Sequence, residues 1–68
     1  MSLYLYKGTF NWYGELHSLH TVAGCESKAF QNFVTRLAKL LSRSRRSVLI
    51  YFVDEMKDNY NIKLIGRR

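Results

Sequence analysis

The chain has 68 residues, with 11 lysine and arginine residues against 5 acidic ones, a single cysteine and no proline. This length leaves room for one hydrophobic core, so we expect residues 1–68 to form a single small domain. One cysteine excludes the internal disulfide framework that small secreted domains usually need, and this indicates a cytoplasmic protein. The longest apolar run, 48–53, is far shorter than the ~20 residues of a membrane-spanning helix, so we expect no membrane partner.

The N-terminal third predicts a β-hairpin. Residues 3–10 are rich in tyrosine, leucine and phenylalanine, residues 11–14 read as a turn, and residues 15–23 alternate polar and apolar side chains. His17 and His20, three positions apart on one strand, point to opposite faces, so we expect no metal site. Trp12 and Tyr13 lie at the predicted hairpin tip, where their rings could stack on the bases of a single-stranded nucleic acid.

An amphipathic helix is predicted over residues 26–41. Phe30, Phe33 and Leu37 recur at the spacing of three and four residues that marks a buried helical stripe. Five polar and basic residues fall opposite that stripe, within an arc of roughly 80°. They are Lys28, Asn32, Arg36, Lys39 and Arg43. The predicted helix therefore has one apolar and one cationic face.

The segment after this helix allows two predictions. Val48, Tyr51 and Phe52 have helical spacing and favour a short second helix near 45–54, whereas the β-branched and aromatic character of 47–53 favours a strand. A final strand over 60–65 joins the hairpin in either case, and 66–68 is predicted to be a frayed tail. The predicted fold is α+β with the order ββααβ, and the alternative is ββαββ. The predicted core consists of Tyr4 or Leu5, Phe10, Leu16, Leu19, Val22, Phe30, Phe33, Val34, Leu37, Leu41, Val48, Phe52, Ile62 and Leu64.

Residues 38–52 resemble the helix-turn-helix segment of bacterial and phage DNA-binding proteins. The resemblance consists of a small residue in the first helix, an apolar residue three positions on, a serine cap, a serine followed by a valine, and a bulky apolar residue one turn later. The matching residues are Ala38, Leu41, Ser44, Ser47, Val48 and Phe52. Ser42 stands where that family usually has a glycine with positive φ. The resemblance implies that the second helix enters the major groove with Arg45 and Arg46 in its first turn.

The charge distribution indicates a polyanionic partner. All of the excess positive charge lies within residues 27–53, which contain no acidic residue. Arginine and lysine side chains there are expected to contact phosphates. The predicted binding residues are Lys28, Arg36, Lys39, Arg43, Arg45 and Arg46. We therefore expect a nucleic-acid-binding protein, with DNA favoured over RNA, and neither catalysis nor a cofactor.

A second class of function stays open from the sequence. The apolar faces of the sheet, together with Leu49, Ile50 and Val53, would suit a protein-interaction module or a homodimer. Small basic proteins of this composition are common on phages and other mobile elements, which suggests a similar origin here.

Overall fold

The protein folds as a three-stranded antiparallel sheet with two helices packed on one of its faces. The computed structural model describes residues 2–67. Strand β1 (Tyr4–Trp12) is followed by β2 (Glu15–Ala23), helix α1 (Glu26–Leu41), helix α2 (Arg45–Ile50) and strand β3 (Tyr60–Arg67). The strand order is β2-β1-β3, so β1 is central and pairs with both neighbours. The predicted ββααβ fold is confirmed.

The hairpin between β1 and β2 closes through a two-residue turn. Trp12 pairs with Glu15, and the intervening Tyr13 and Gly14 have φ angles of 48° and 88°. Two consecutive positive φ values are typical of a type I′ turn, which matches the twist of the strands and usually takes Asn, Asp or Gly at its first position. A tyrosine there is unusual, because a bulky side chain makes this conformation costly.

The core lies between the sheet and the helices, and three phenylalanines form its centre. Phe10 of β1, Phe33 of α1 and Phe52 are fully buried. The ring of Phe10 lies 5.4 Å from that of Phe33 and 5.3 Å from that of Phe52. Gly8 makes this packing possible, because a Cβ at that position would lie 2.6 Å from the Phe10 ring and 2.8 Å from the Phe33 ring. The missing side chain at Gly8 therefore lets α1 approach β1 closely.

The segment after α1 is helical, so the alternative ββαββ fold is wrong. The Ser44 side chain caps α2 by accepting a hydrogen bond from the Ser47 backbone N–H at 3.1 Å. Val48 and Phe52, one turn apart, are both fully buried. The chain then widens into a π-helical turn over Tyr51–Glu55, in which the Met56 N–H donates to the Tyr51 carbonyl at 2.7 Å. The cap at Ser44 stabilises the helix against the strand preference of the individual β-branched residues.

Three sequence expectations about the edges of the fold are corrected. Gly66 and Arg67 are not frayed, because they belong to β3 and pair with Leu5 and Tyr4 of β1. Arg68 lies outside the described residues. Leu16 is 71% exposed, since its position in β2 places it on the sheet face without helices. Leu64 is 54% exposed although it pairs with Tyr6 on the covered face, since α1 contacts β3 at Tyr60, whose ring lies 5.2 Å from that of Phe30. The buried residues that the predicted core lacked are Tyr6, Ala23, Ala29, Ala38 and Tyr51.

Candidate nucleic-acid interface

Helix α1 carries three exposed basic side chains that do not converge on one point. Lys28, Arg36 and Lys39 are all exposed. Arg36 leans to the edge of the sheet, where its guanidinium donates to the His20 carbonyl of β2. Lys28 lies in the first part of α1 and Lys39 in its last turn, about 16 Å apart along the helix axis. The cationic face of α1 is therefore a long stripe.

Ser42 ends α1 and redirects the chain. Its φ of 54° and ψ of 42° are left-handed, at the position where the helix-turn-helix pattern usually has a glycine. The Arg43 N–H donates to the Ala38 carbonyl at 2.9 Å, so the turn is tightly closed. Arg43 consequently leaves the predicted arc of α1. It lies instead beside the hairpin tip, where it lines a cleft together with Trp12 and Tyr13.

The two arginines that begin α2 have different surroundings. Arg45 turns back over α1, where its guanidinium donates to the Thr35 hydroxyl at 3.0 Å and to the Gln31 side-chain oxygen at 2.8 Å. These bonds fix α2 against α1. Arg46 is exposed and makes no hydrogen bond from its side chain to the rest of residues 2–67. The structure thus makes Arg46 the free cation of α2 and Arg45 a link between the helices.

The hairpin tip packs beside α2. The Trp12 ring lies 4.5 Å from the Tyr51 ring and 5.9 Å from that of Phe52, so Trp12 is half-buried against its own domain. Tyr13 is 73% exposed, although its ring lies 4.6 Å from that of Tyr51. The Tyr13 N–H also donates to the Tyr51 hydroxyl at 3.2 Å. Of the two predicted stacking residues, only Tyr13 keeps most of its ring available.

A cleft of about 320 Å³ lies at the junction of the tip and α2. Its lining brings together the exposed aromatic ring, one arginine and the outer side of α2. The lining residues are Trp12, Tyr13, Arg43, Ser47, Ile50, Tyr51 and Glu55. Sequence reasoning missed Tyr51 and Ser47 as members of this site. Ser47 and Arg46 can share the solvent side only if 45–54 is a helix, because neighbouring residues of a strand point to opposite faces.

The positive charge of this surface is not neutralised internally. Within residues 2–67 the one contact between an acidic and a basic side chain within ion-pair distance joins the Glu15 carboxylate and the His17 imidazole, at 3.2 Å. No lysine or arginine of that range lies within ion-pair distance of a carboxylate. The nearest acidic groups in sequence, Asp54 and Glu55, follow α2, and Glu55 lines the same cleft as Arg43 without forming an ion pair with it. The α1–α2 surface therefore carries an excess of positive charge.

Other chemistry-bearing residues form no second cluster in the part of the chain that is described. His17 pairs with Phe10 on the helix-covered face, whereas His20 pairs with Lys7 on the other face. No group of three or more histidine, cysteine or acidic residues in range of one metal ion occurs among residues 2–67. Cys25 is exposed and borders a cleft of about 480 Å³ with Lys28, at the end of α1 away from Arg43.

The environment of Tyr6 changes the pKa of its hydroxyl group. Burial, followed by the nearby Cys25 thiol, the Glu26 carboxylate and Tyr4, raises the pKa of Tyr6. Tyr6 lies on the covered face of β1 and is 7% exposed. Its role is therefore in the core and not in the interface.

Among residues 2–67, no helix is long and apolar enough to cross a membrane. Comparison with models of known protein families, with curated proteins and with solved structures found no match.

Proposed function

We propose that this protein binds nucleic acid without catalysis, through the surface formed by the solvent side of α1, the turn at Ser42 and the first turn of α2. The supporting observation is that the exposed arginine and lysine side chains of this surface have no carboxylate partner within residues 2–67. Uncompensated cations of this kind attract phosphate groups, and arginine binds them in a bidentate manner. We propose the cytoplasm as the compartment of this protein, because nucleic acids are abundant there.

The residues of this surface have different roles in the proposal. Lys39, Arg43 and Arg46 contact phosphates directly, while Arg45 holds α2 on α1 through Thr35 and Gln31. Arg36 is a weaker contributor, because its guanidinium already binds the His20 carbonyl. Lys28, near the far end of the α1 stripe, extends the contact along the backbone. Phosphate contacts position a protein on nucleic acid without reading its sequence.

Double-stranded DNA is the partner that the helix arrangement favours over RNA. Two local features support this part of the proposal: the Ser44 side chain caps α2, and Ser42 has a positive φ where a helix-turn-helix segment usually has glycine. The first turn of α2 offers Arg46 and Ser47 to a major groove, whereas Ile50 offers only apolar contact. Asp54 and Glu55, which follow α2 in the chain, repel phosphates. We therefore expect a shallow approach of α2 with limited sequence preference.

Tyr13 adds an aromatic contact at the hairpin tip. Its ring is exposed, and Arg43 lies in the same cleft. A base that is unpaired or at a duplex end can stack on such a ring while its phosphate binds the arginine.

A second candidate function rests on a different part of the surface. Ile50, Val53 and Met56 are each at least 40% exposed and follow one another along the outer side of α2 and the π-helical turn. Exposed apolar residues in series are typical of a protein interface. A homodimer through these residues is the specific form of this alternative. Light scattering on the purified protein separates a monomer from a dimer.

Salt-dependent binding tests the proposed function. We expect the protein to bind duplex DNA with an affinity that falls steeply as salt rises, because each phosphate contact releases counterions. The double variant Arg43→Gln and Arg46→Gln removes two such contacts, so the slope of log affinity against log salt decreases by about 2. Fluorescence anisotropy of labelled duplex, single-stranded DNA and RNA measures the affinities.

The control is Lys57→Gln, which removes one positive charge from the segment Lys57–Asn59, next to Asp58 and outside α1, the turn at Ser42 and α2. This control retains the wild-type salt slope. No binding at low salt, or a double variant that binds as the wild type does, overturns the proposal.

A further inference from the structure

The sheet face opposite the helices is uncovered and has a regular arrangement of polar residues. On this face Lys7 of β1 lies directly between His20 of β2 and Lys63 of β3. All three residues are exposed. Strands lie about 4.8 Å apart, so this row crosses roughly 10 Å of the sheet. We call the row His20, Lys7 and Lys63 the basic row.

The next row along the strands offers neutral hydrogen-bonding groups. Thr9 lies between Ser18 of β2 and Asn61 of β3 in the same register. Hydroxyl and amide groups can donate to phosphate oxygens beside a charged contact. The basic row therefore has a polar neighbour on the same face, and the uncovered face is not a continuous apolar patch.

The composition of the basic row is unfavourable for the fold itself. Lys7 and Lys63 are directly opposite each other, and like charges in that relation destabilise a sheet. No carboxylate of residues 2–67 offsets them, because Glu15 pairs with Trp12 on the covered side and the other acidic residues lie in α1 or between α2 and β3. An external anion would relieve this repulsion.

We infer that the basic row is a second binding surface for a phosphodiester backbone, so that one monomer bridges two nucleic-acid segments. The basic row and the α1–α2 surface lie on opposite sides of the sheet, and a straight duplex cannot contact both sides at once. The partner is assigned by charge complementarity, since unpaired cations beside hydroxyl and amide donors match a phosphate backbone. This inference rests on the proposed function and extends it to a further surface. The bridging inference can be wrong while the proposed binding through the α1–α2 surface is right.

A bridging assay tests the inference. Donor-labelled and acceptor-labelled short duplexes are mixed with the protein at low salt, and energy transfer reports that two duplexes share one protein. The double variant Lys7→Gln and Lys63→Gln is expected to bind one duplex by anisotropy as the wild type does but to lose transfer at least about tenfold. Lys57→Gln again serves as the control and retains transfer.

The outcomes separate this inference from the proposed function. Binding of one duplex by the wild type without transfer overturns the bridging inference alone. Transfer that the Lys7 and Lys63 double variant retains also overturns it, and light scattering then shows whether a protein dimer joins the duplexes. If the Arg43 and Arg46 double variant binds one duplex as the wild type does while the Lys7 and Lys63 double variant does not, the proposed surface is wrong. The bridging inference is then overturned as well, because the basic row would be the single binding surface.

Thermal unfolding tests whether a loss of bridging is due to unfolding of the variant. Lys63→Glu replaces the repulsion with a cross-strand attraction to Lys7, so its melting temperature is expected to rise above that of the wild type. The same variant is expected to lose bridging. A lower melting temperature for Lys63→Glu overturns the argument that the basic row is unfavourable for the fold.

Discussion

At the scale of single residues, the conformation of Ser42 decides where α1 ends. Ser42 adopts a left-handed conformation, with φ at 54°, that glycine adopts without a steric penalty. Serine retains a Cβ, which costs roughly 1–2 kcal/mol in this region. The position is therefore a local weakness of the fold in a turn that the proposed function needs.

Ser42→Gly is expected to stabilise the protein by up to about 1 kcal/mol, since part of the relieved strain is offset by the greater entropy of an unfolded glycine. Thermal unfolding measures this as a rise of roughly 4–8 °C per kcal/mol for a domain of this size. Ser42→Ala is the control, because it retains the Cβ and gains nothing. A glycine variant that is less stable than the wild type contradicts this reading of the turn.

Tyr6 gives the fold a dependence on alkaline pH. Because burial raises the pKa of Tyr6 above its usual value of about 10, the unfolded chain loses this proton at a lower pH than the folded chain. The contribution of Tyr6 to stability is fully present below pH ~10 and is lost as pH rises through the folded-state pKa. Stability should therefore fall with rising pH in that range.

Tyr6→Phe removes this ionisation, and we expect a shallower decline of the free energy of unfolding above pH ~10. Urea unfolding at a series of alkaline pH values compares the two slopes. Equal slopes for the variant and the wild type would show that the folded and unfolded states share one pKa at this residue.

At the scale of elements, the contact between β1 and α1 depends on Gly8. A methyl group there would meet the Phe10 and Phe33 rings at 2.6–2.9 Å, inside the van der Waals limit. Gly8→Ala is therefore expected to destabilise the protein by about 1–3 kcal/mol, the usual range for overpacking. Gly24→Ala is a matched control, because the nearest atom to its Cβ would be 3.9 Å away. Equal unfolding midpoints for the two variants would contradict the close approach.

The elements themselves could be predicted from sequence to different degrees. The period of α1 and the alternation of β2 identified both elements, since each pattern repeats over many residues. Residues 47–53 stayed ambiguous because helix and strand both bury Val48 and Phe52, and only the Ser44 cap observed in the structure decides between them. The exposed position of Leu16 depends on which face the helices cover, and periodicity alone does not contain that information.

The candidate site was less predictable than the fold. Sequence separation groups Arg45 with Arg46, but the hydrogen bonds of Arg45 to Thr35 and Gln31 separate their roles. Tyr13 and Arg43 are 30 positions apart in the chain and meet in one cleft only because the hairpin tip packs on Tyr51. Contacts of this kind arise from tertiary packing, which a single sequence does not display.

At the scale of the whole molecule, the size of the protein limits how much of a duplex the proposed surface could cover. The principal extents are 33 × 20 × 18 Å, and one helical turn of DNA is roughly 34–36 Å long. A monomer bound through its α1–α2 surface would thus cover no more than about one turn. Its opposite sheet face would remain directed away from that duplex.

The most direct test of the proposed interface is a titration of the isotope-labelled protein with a short DNA duplex, followed by backbone amide chemical shifts. The account predicts the largest shift changes at Arg43 to Ser47 and at Tyr13 and Gly14, reversed by added salt. Changes confined to Ile50, Val53 and Met56, or no changes at low salt, would contradict it.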